Sequence, residues 1–149
     1  MNKSIINRNT SYKEIRQKLP NKRKRIFEII EKHNGITAQE ISSRYNYPIN
    51  QVSGRITELK DLCFIKESGN QLNPFSKTYN TMYSVITNED EFIELNKKKY
   101  IELRSKKDSL VRDYQQALST YTREYVKNEI NKINNKIDKL GSAEIAVLF

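Results

Sequence analysis

The sequence predicts a mainly α-helical protein with one small β-hairpin, followed by a long helical arm towards its C-terminal end. Three observations carry this prediction. Apolar residues recur at helical spacing in separate blocks between residues 22 and 62. The period then shifts to alternation between Phe64 and Ile86. From Asn88 to Leu140 it returns to a helical stripe that ends in regular 4-3-4-3 spacing.

The first block, residues 22 to 34, places Ile26, Ile29, Ile30 and His33 on one side and Glu28, Glu31 and Lys32 on the other. Asn34-Gly35 stops it, because both residues tolerate the left-handed conformation that closes a helix. Upstream, Tyr12, Ile15 and Leu19 predict a short helix over Ser11 to Leu19 that Pro20 interrupts. Thr37-Ala38-Gln39-Glu40 is a capping box that opens a second helix running to about Tyr45, with Ala38, Ile41 and Tyr45 inward. Asn46-Tyr47-Pro48 forces a turn, since a residue before proline avoids the α region. A third helix runs from Ile49 to about Leu62 on a stripe of Val52, Ile56, Leu59 and Cys63.

Phe64 to Ser68 then reads as a short strand and Tyr79 to Ile86 as a second, rich in β-branched and aromatic residues. The polar loop between them carries Gly69-Asn70, Pro74 and the donors Ser76, Lys77 and Thr78. Asn88-Glu89-Asp90-Glu91 caps the arm, its acids placed at the positive end of the helix dipole. Phe92, Leu95, Leu103, Leu110, Tyr114, Leu118 and Tyr121 form an imperfect stripe, after which Val126, Ile130, Ile133, Ile137 and Leu140 follow the a/d pattern of a coiled coil. As one rod the arm would reach about 75 Å. Because the stripe slips near Tyr121 to Val126, an antiparallel hairpin is the alternative. Gly141 ends the helix and leaves an apolar tail, Ala143 to Phe149.

These elements divide the 149 residues into a basic segment (1–21), a core domain (22–87), an arm (88–140) and a tail (141–149). The 36% hydrophobic and 30% charged content suits that division, since a solvated arm needs fewer buried residues than a core. Net charge is +9, and residues 1 to 25 alone carry +8. A surplus concentrated at one end favours a polyanionic partner, because each neutralised phosphate releases counterions. No apolar run approaches 18 residues and no signal-peptide pattern follows the basic start, so a cytoplasmic protein without membrane association is expected.

Three helices, the second capped and the third following a tight turn, then a hairpin with a polar loop, make the order of a winged helix-turn-helix. From Tyr12 to Val85 the chain resembles the small winged-helix proteins common in phage genomes. Thr37-Ala38-Gln39-Glu40-Ile41 opens the motif, Pro48-Ile49-Asn50-Gln51-Val52 starts the recognition helix, and Arg55-Ile56-Thr57-Glu58-Leu59 continues it. The wing departs from the pattern: phage-type proteins often have Cys-Pro-x-Thr-Gly-Arg there, whereas this chain has Asn73-Pro74-Phe75-Ser76-Lys77-Thr78, with Lys77 in place of the arginine.

The resemblance implies a double-stranded DNA partner. With Val52, Ile56 and Leu59 inward, the third helix turns Asn50, Gln51, Ser53, Gly54, Thr57 and Glu58 outward. Asn and Gln can bond an adenine edge through two hydrogen bonds, Ser serves any base, and Gly54 would let the helix lie close to the groove. The base-reading candidates are therefore Asn50, Gln51, Ser53, Gly54 and Thr57. Phosphate contacts are expected from Thr37, Arg44, Arg55, Lys60, Lys77 and the run Lys22, Arg23, Lys24 and Arg25. Leu103, Leu110, Tyr114, Val126, Ile130, Ile133, Ile137 and Leu140 are the candidates for self-association, a homodimer or higher oligomer reading a two-fold related site. The tail is a candidate peptide for a protein partner's groove.

Catalysis is not expected. One histidine, one cysteine and no Gly-rich phosphate loop provide no triad, metal site, nucleotide cradle or cofactor. His33 ends an apolar stripe and reads as a packed residue, and Cys63, inside Leu62-Cys63-Phe64-Ile65, reads as a small core residue. The rival function is that of an adaptor acting through the arm.

Overall fold

The computed structural model describes residues 19–144, with side chains through Leu140. The helix expected over Ser11 to Leu19, most of the basic segment and the end of the apolar tail lie outside these residues. The chain divides into two compact units, Met1–Phe92 and Ile93–Phe149.

The first unit is a winged helix-turn-helix. Helix α1 (Asn21–His33) buries Ile26, Phe27, Ile29 and Ile30. Asn34 closes it in the left-handed region, φ 45°, its amide donating to the Ile30 carbonyl at 3.0 Å. Strand β1 (Ile36–Thr37) is followed directly by helix α2 (Ala38–Tyr45). The capping box forms as expected: the Glu40 amide donates to Thr37 Oγ1 at 3.2 Å and the Thr37 amide to Glu40 Oε2 at 3.0 Å. Asn46, at φ 54°, ends α2, and Pro48 opens helix α3 (Ile49–Asp61), accepting the Val52 amide at 3.1 Å. Val52, Ile56 and Leu59 are the buried stripe of α3.

Strands β2 (Ile65–Leu72) and β3 (Tyr79–Val85) make the wing hairpin. The sheet has three strands, not the two expected: β1 pairs antiparallel with β3, Ile36 opposite Tyr83, giving the order β1-β3-β2. Two residues between a helix stop and a capping box carry no period of their own, so β1 leaves no signal in the sequence. β2 also extends beyond Ser68 to Leu72, carried past the turn-prone Gly69-Asn70 by an irregularity between Glu67 and Gly69. Gly69 has φ +149°, and a Cβ there would stand 3.2 Å from the Met82 methyl, so a glycine suits this bulge.

The core of this unit joins the α1 and α3 stripes to Ile36, Ile41, Cys63, Phe64, Ile65, Val85 and Ile86. Phe64 sits at its centre, edge-on to Phe27 at 6.0 Å between ring centroids and tilted against Phe92 at 5.5 Å. His33 is half-buried and its Nε2 lies 2.7 Å from the Tyr45 hydroxyl, an α1–α2 tie rather than a fully packed ring.

Helix α4 (Glu89–Gln116) is capped by Asn88, whose Oδ1 accepts the Asp90 amide at 2.9 Å. Helix α5 (Thr120–Glu144) follows after three residues and continues through Gly141, which was expected to end it. The second unit is therefore a helical hairpin, the alternative that the stripe left open. Leu103, Ile133 and Leu140 form its buried cluster, with Leu110 and Ile137 packed on it. Leu103 and Ile133 stand equally far in sequence from Leu118, as antiparallel helices require. The turn is held by Ser119, which caps α5 through the Thr122 amide at 3.1 Å, and by Arg123, whose Nε donates to the Ala117 carbonyl at 3.0 Å. The first-half stripe is cleaner than expected: Asn96, Leu103, Leu110 and Ala117 recur every seven residues, with Asn96 only 2% exposed. Leu118 and Tyr121, expected within that stripe, are instead exposed at the turn.

Candidate nucleic-acid interface

The buried stripe of α3 sets the direction of everything else on that helix. Asn50, Gln51, Ser53, Gly54 and Thr57 are all exposed along its outer side. Their chemistry is not equal. Thr57 Oγ1 donates to the Ser53 carbonyl at 3.0 Å, so its hydroxyl is folded onto the helix and its methyl is the group it offers outward. Asn50 Oδ1 accepts the Gln51 amide at 2.9 Å, which orients the carboxamide at the helix start. At Gly54, a Cβ would meet nothing within 4 Å, so no packing among the described residues requires a glycine there.

Glu58, expected to face outward, is instead half-buried and bridges two helices. Its Oε2 accepts from Arg23 Nε and from Arg55 Nη1, both at 2.8 Å. The reason is geometric: one position past Thr57 the helix turns towards α1, where Arg23 waits. The bridge ties α1 to α3 and partly neutralises two of the expected phosphate contacts. Beside it lies a cleft of about 390 Å³ lined by Lys22, Arg25, Ile26, Tyr47, Gln51, Val52 and Arg55. Three cations thus share a concavity with a residue of the outward face.

The other candidate cations are dispersed. Arg44 is exposed and pairs with Glu40 at 3.0 Å. Lys60 pairs with Glu67 and stands 5.9 Å from the Tyr83 ring centre, tying the end of α3 to the wing. The hydrogen bond that Lys60 donates to Glu67 raises its ammonium above its usual 10.5. Lys24 is half-exposed on α1, and Lys77 lies exposed on the wing loop with φ 54°. Thr37 is 2% exposed, and its amide and hydroxyl both engage Glu40, so it has no group to offer a phosphate.

Of the residues expected to join chains, Leu103, Leu110, Ile133, Ile137 and Leu140 pack on one another within the hairpin, Val126 is buried and Ile130 half-buried. Tyr114 is exposed. Among the described residues of this unit, Leu118, Tyr121 and Tyr125 near the turn and Ile101 are exposed as well. Leu118 and Tyr121 were placed in the stripe because Leu and Tyr at near-helical spacing read as buried; Ser119, a good N-cap in mid-stripe, was the signal of a turn. Among the described residues no helix is long and apolar enough to cross a membrane, and no three His, Cys, Asp or Glu side chains are grouped to hold a metal ion.

Fold and surface define a winged helix-turn-helix chain with a helical hairpin attached. Comparisons with protein-family models and with curated proteins find no match. Among solved structures the chain is similar to Bacillus subtilis PadR in complex with operator DNA, at 13% identity and a TM-score of 0.36, over 77% of this chain and 96% of that one.

Proposed function

We propose that this chain is a sequence-reading double-stranded DNA-binding protein, a phage-type regulator that places α3 in the major groove. The observation that carries the proposal is the outer side of α3. Exposed amide and hydroxyl groups surround a glycine that no packing among the described residues requires, and an adjoining cleft carries Lys22, Arg25 and Arg55. Gln51 and Asn50 are the base readers, with Ser53 beside them and the Thr57 methyl suited to a thymine methyl. Lys22, Arg25, Lys24 and Lys77 take the phosphates, and Arg23 and Arg55 set the angle between α1 and α3 through Glu58. Arg44 and Lys60 add to the field from their exposed ion pairs, and Thr37 is left out. No catalytic residue or cofactor belongs to this reading.

Two copies associate through the hairpin turn. Residues 114–122 carry no charge in a chain of net +9, so Leu118 and Tyr121 can meet their equivalents without bringing like charges together. Those exposed residues also favour a second reading, an adaptor that docks a different protein at the turn.

The test is binding to random and genomic duplex DNA over a salt series, with Asn50→Ala/Gln51→Ala alongside. The expected result is affinity that falls steeply with salt and a variant that keeps binding but loses sequence preference. Absence of binding at low salt would refute the proposal and leave the adaptor reading.

A further inference from the structure

Phe75 is a large apolar side chain placed where folding has no use for it. It lies at the tip of the wing, 95% exposed, and the ladder pair beneath it, Leu72 opposite Tyr79, is exposed as well. An isolated exposed aromatic needs no explanation, but this one is held in position. Asn73 Oδ1 accepts the Phe75 amide at 3.0 Å and the Ser76 amide at 3.4 Å. The Asn73 amide donates to the Thr78 carbonyl at 2.8 Å and the Lys77 amide to the Asn73 carbonyl at 2.9 Å. The Ser76 and Thr78 hydroxyls lie 2.6 Å apart. Pro74 restricts the residue before the ring, and Lys77 sits in the left-handed region at φ 54°. The loop is thus cross-linked by its own polar groups, and what it presents is a phenyl ring beside an ammonium.

We propose that Phe75 is a wedge that enters the minor groove and kinks the duplex at a base step. The inference rests on the DNA-binding reading above and adds a deformation to it. The charge pattern supports a nucleic-acid occupant: Lys77 is the only charged residue between Glu67, which pairs with Lys60 at the base of the wing, and Glu89, so no acid on the outer part of the wing would oppose phosphates lining a narrow groove. The reach is sufficient. β2 leaves the end of α3 beside the Lys60–Glu67 pair, and its eight residues extend about 26 Å at 3.3 Å per residue. Half a turn of DNA, which separates a major groove from the next minor groove, is about 17 Å. Apolar side chains used in this manner separate stacked bases and bend the duplex by roughly 20 to 90°. A second copy of the chain is a poor occupant by comparison, because a two-fold contact between convex wing tips would bring the two Lys77 ammonium groups together.

The experiment uses the full chain and a duplex carrying the preferred site, with donor and acceptor dyes at its ends and 2-aminopurine at candidate steps outside the α3 contact. Phe75→Ala and Phe75→Leu are measured beside the unchanged protein; neither can unfold the domain through lost packing, since the ring contributes almost none. The expected result is shortened end-to-end distance and increased 2-aminopurine fluorescence with the unchanged protein, loss of both with Phe75→Ala at occupancy matched by added protein, and recovery with Phe75→Leu. A duplex that stays straight when bound, or bends equally with Phe75→Ala, would overturn the wedge while leaving DNA binding intact. If no duplex is bound at low salt, the underlying reading fails and the wedge with it. A Phe75→Ala protein that bends DNA normally but sediments as a smaller species would assign the ring to a protein contact and refute the wedge.

Discussion

Gly54→Ala separates what the fold needs from what the groove needs. Glycine inside a helix costs about 1 kcal/mol relative to alanine, because the unfolded chain has more backbone freedom to lose. Gly54 is the sixth residue of the 13-residue helix α3, and an added Cβ would meet nothing within 4 Å. No clash therefore offsets the gain, and the substitution is expected to stabilise the domain by about 0.5 to 1 kcal/mol. For a domain of this size that corresponds to a rise in Tm of roughly 3 to 6 °C. In DNA binding the sign reverses. If Gly54 lies against the groove, the methyl holds α3 away from the bases that Asn50 and Gln51 read, and a cost like that of one mismatched base pair, about 1 to 3 kcal/mol, is expected. That is a loss of roughly 5- to 150-fold on the preferred site, with little change on random DNA. Thermal melting followed by circular dichroism and titration of a fluorescent duplex, both in one buffer, measure the two effects. A Tm that rises with unchanged affinity would refute the close approach of Gly54 to DNA, and a Tm that falls would refute the reading of an open helix surface.

Glu58→Ala removes the acceptor shared by Arg23 and Arg55. It should lower stability by about 1 kcal/mol, as expected for partly exposed pairs, while tightening binding to random DNA and steepening its salt dependence as two guanidinium groups are released; chemical denaturation and a salt titration read both. Ile133→Ala should cost about 2 to 4 kcal/mol by opening a cavity beside Leu103 and Leu140, and hydrogen exchange should show protection lost across α4 and α5. Leu118→Ser/Tyr121→Ser should leave helix content unchanged and, by sedimentation, convert an associated protein to a monomer; association that survives would place the contact elsewhere. These changes leave the core of the first unit untouched.

Local chemistry was legible in the order of residues alone. The capping box at Thr37, the stop at Asn34, the turn before Pro48 and the cap at Asn88 are interactions among residues a few positions apart, so the side chains that make them stand together in the sequence. The inward stripe of α3 was equally legible, and with it the exposed side that carries Asn50, Gln51, Ser53, Gly54 and Thr57, because one helical period determines both. The third strand was not, since two residues acquire strand geometry only by pairing with Tyr83 and Met82, more than forty positions away. Nor could the sequence show that Glu58 turns from the outer surface to Arg23, or that Thr37 is sealed from solvent.

The arm divides along the same line. Its heptad spacing determined that apolar residues would seek a second helix, because a stripe of that period cannot stay in water. It did not determine whose helix. A coiled-coil seam is satisfied equally by another chain and by the same chain turned back, and the choice lies in Ala117–Ser119, where Ser119 and Arg123 close the turn. Tertiary structure placed Leu103, Ile133 and Leu140 inside one hairpin and left Leu118 and Tyr121 at its end, because the shorter loop closes at a lower entropic cost than the meeting of two molecules.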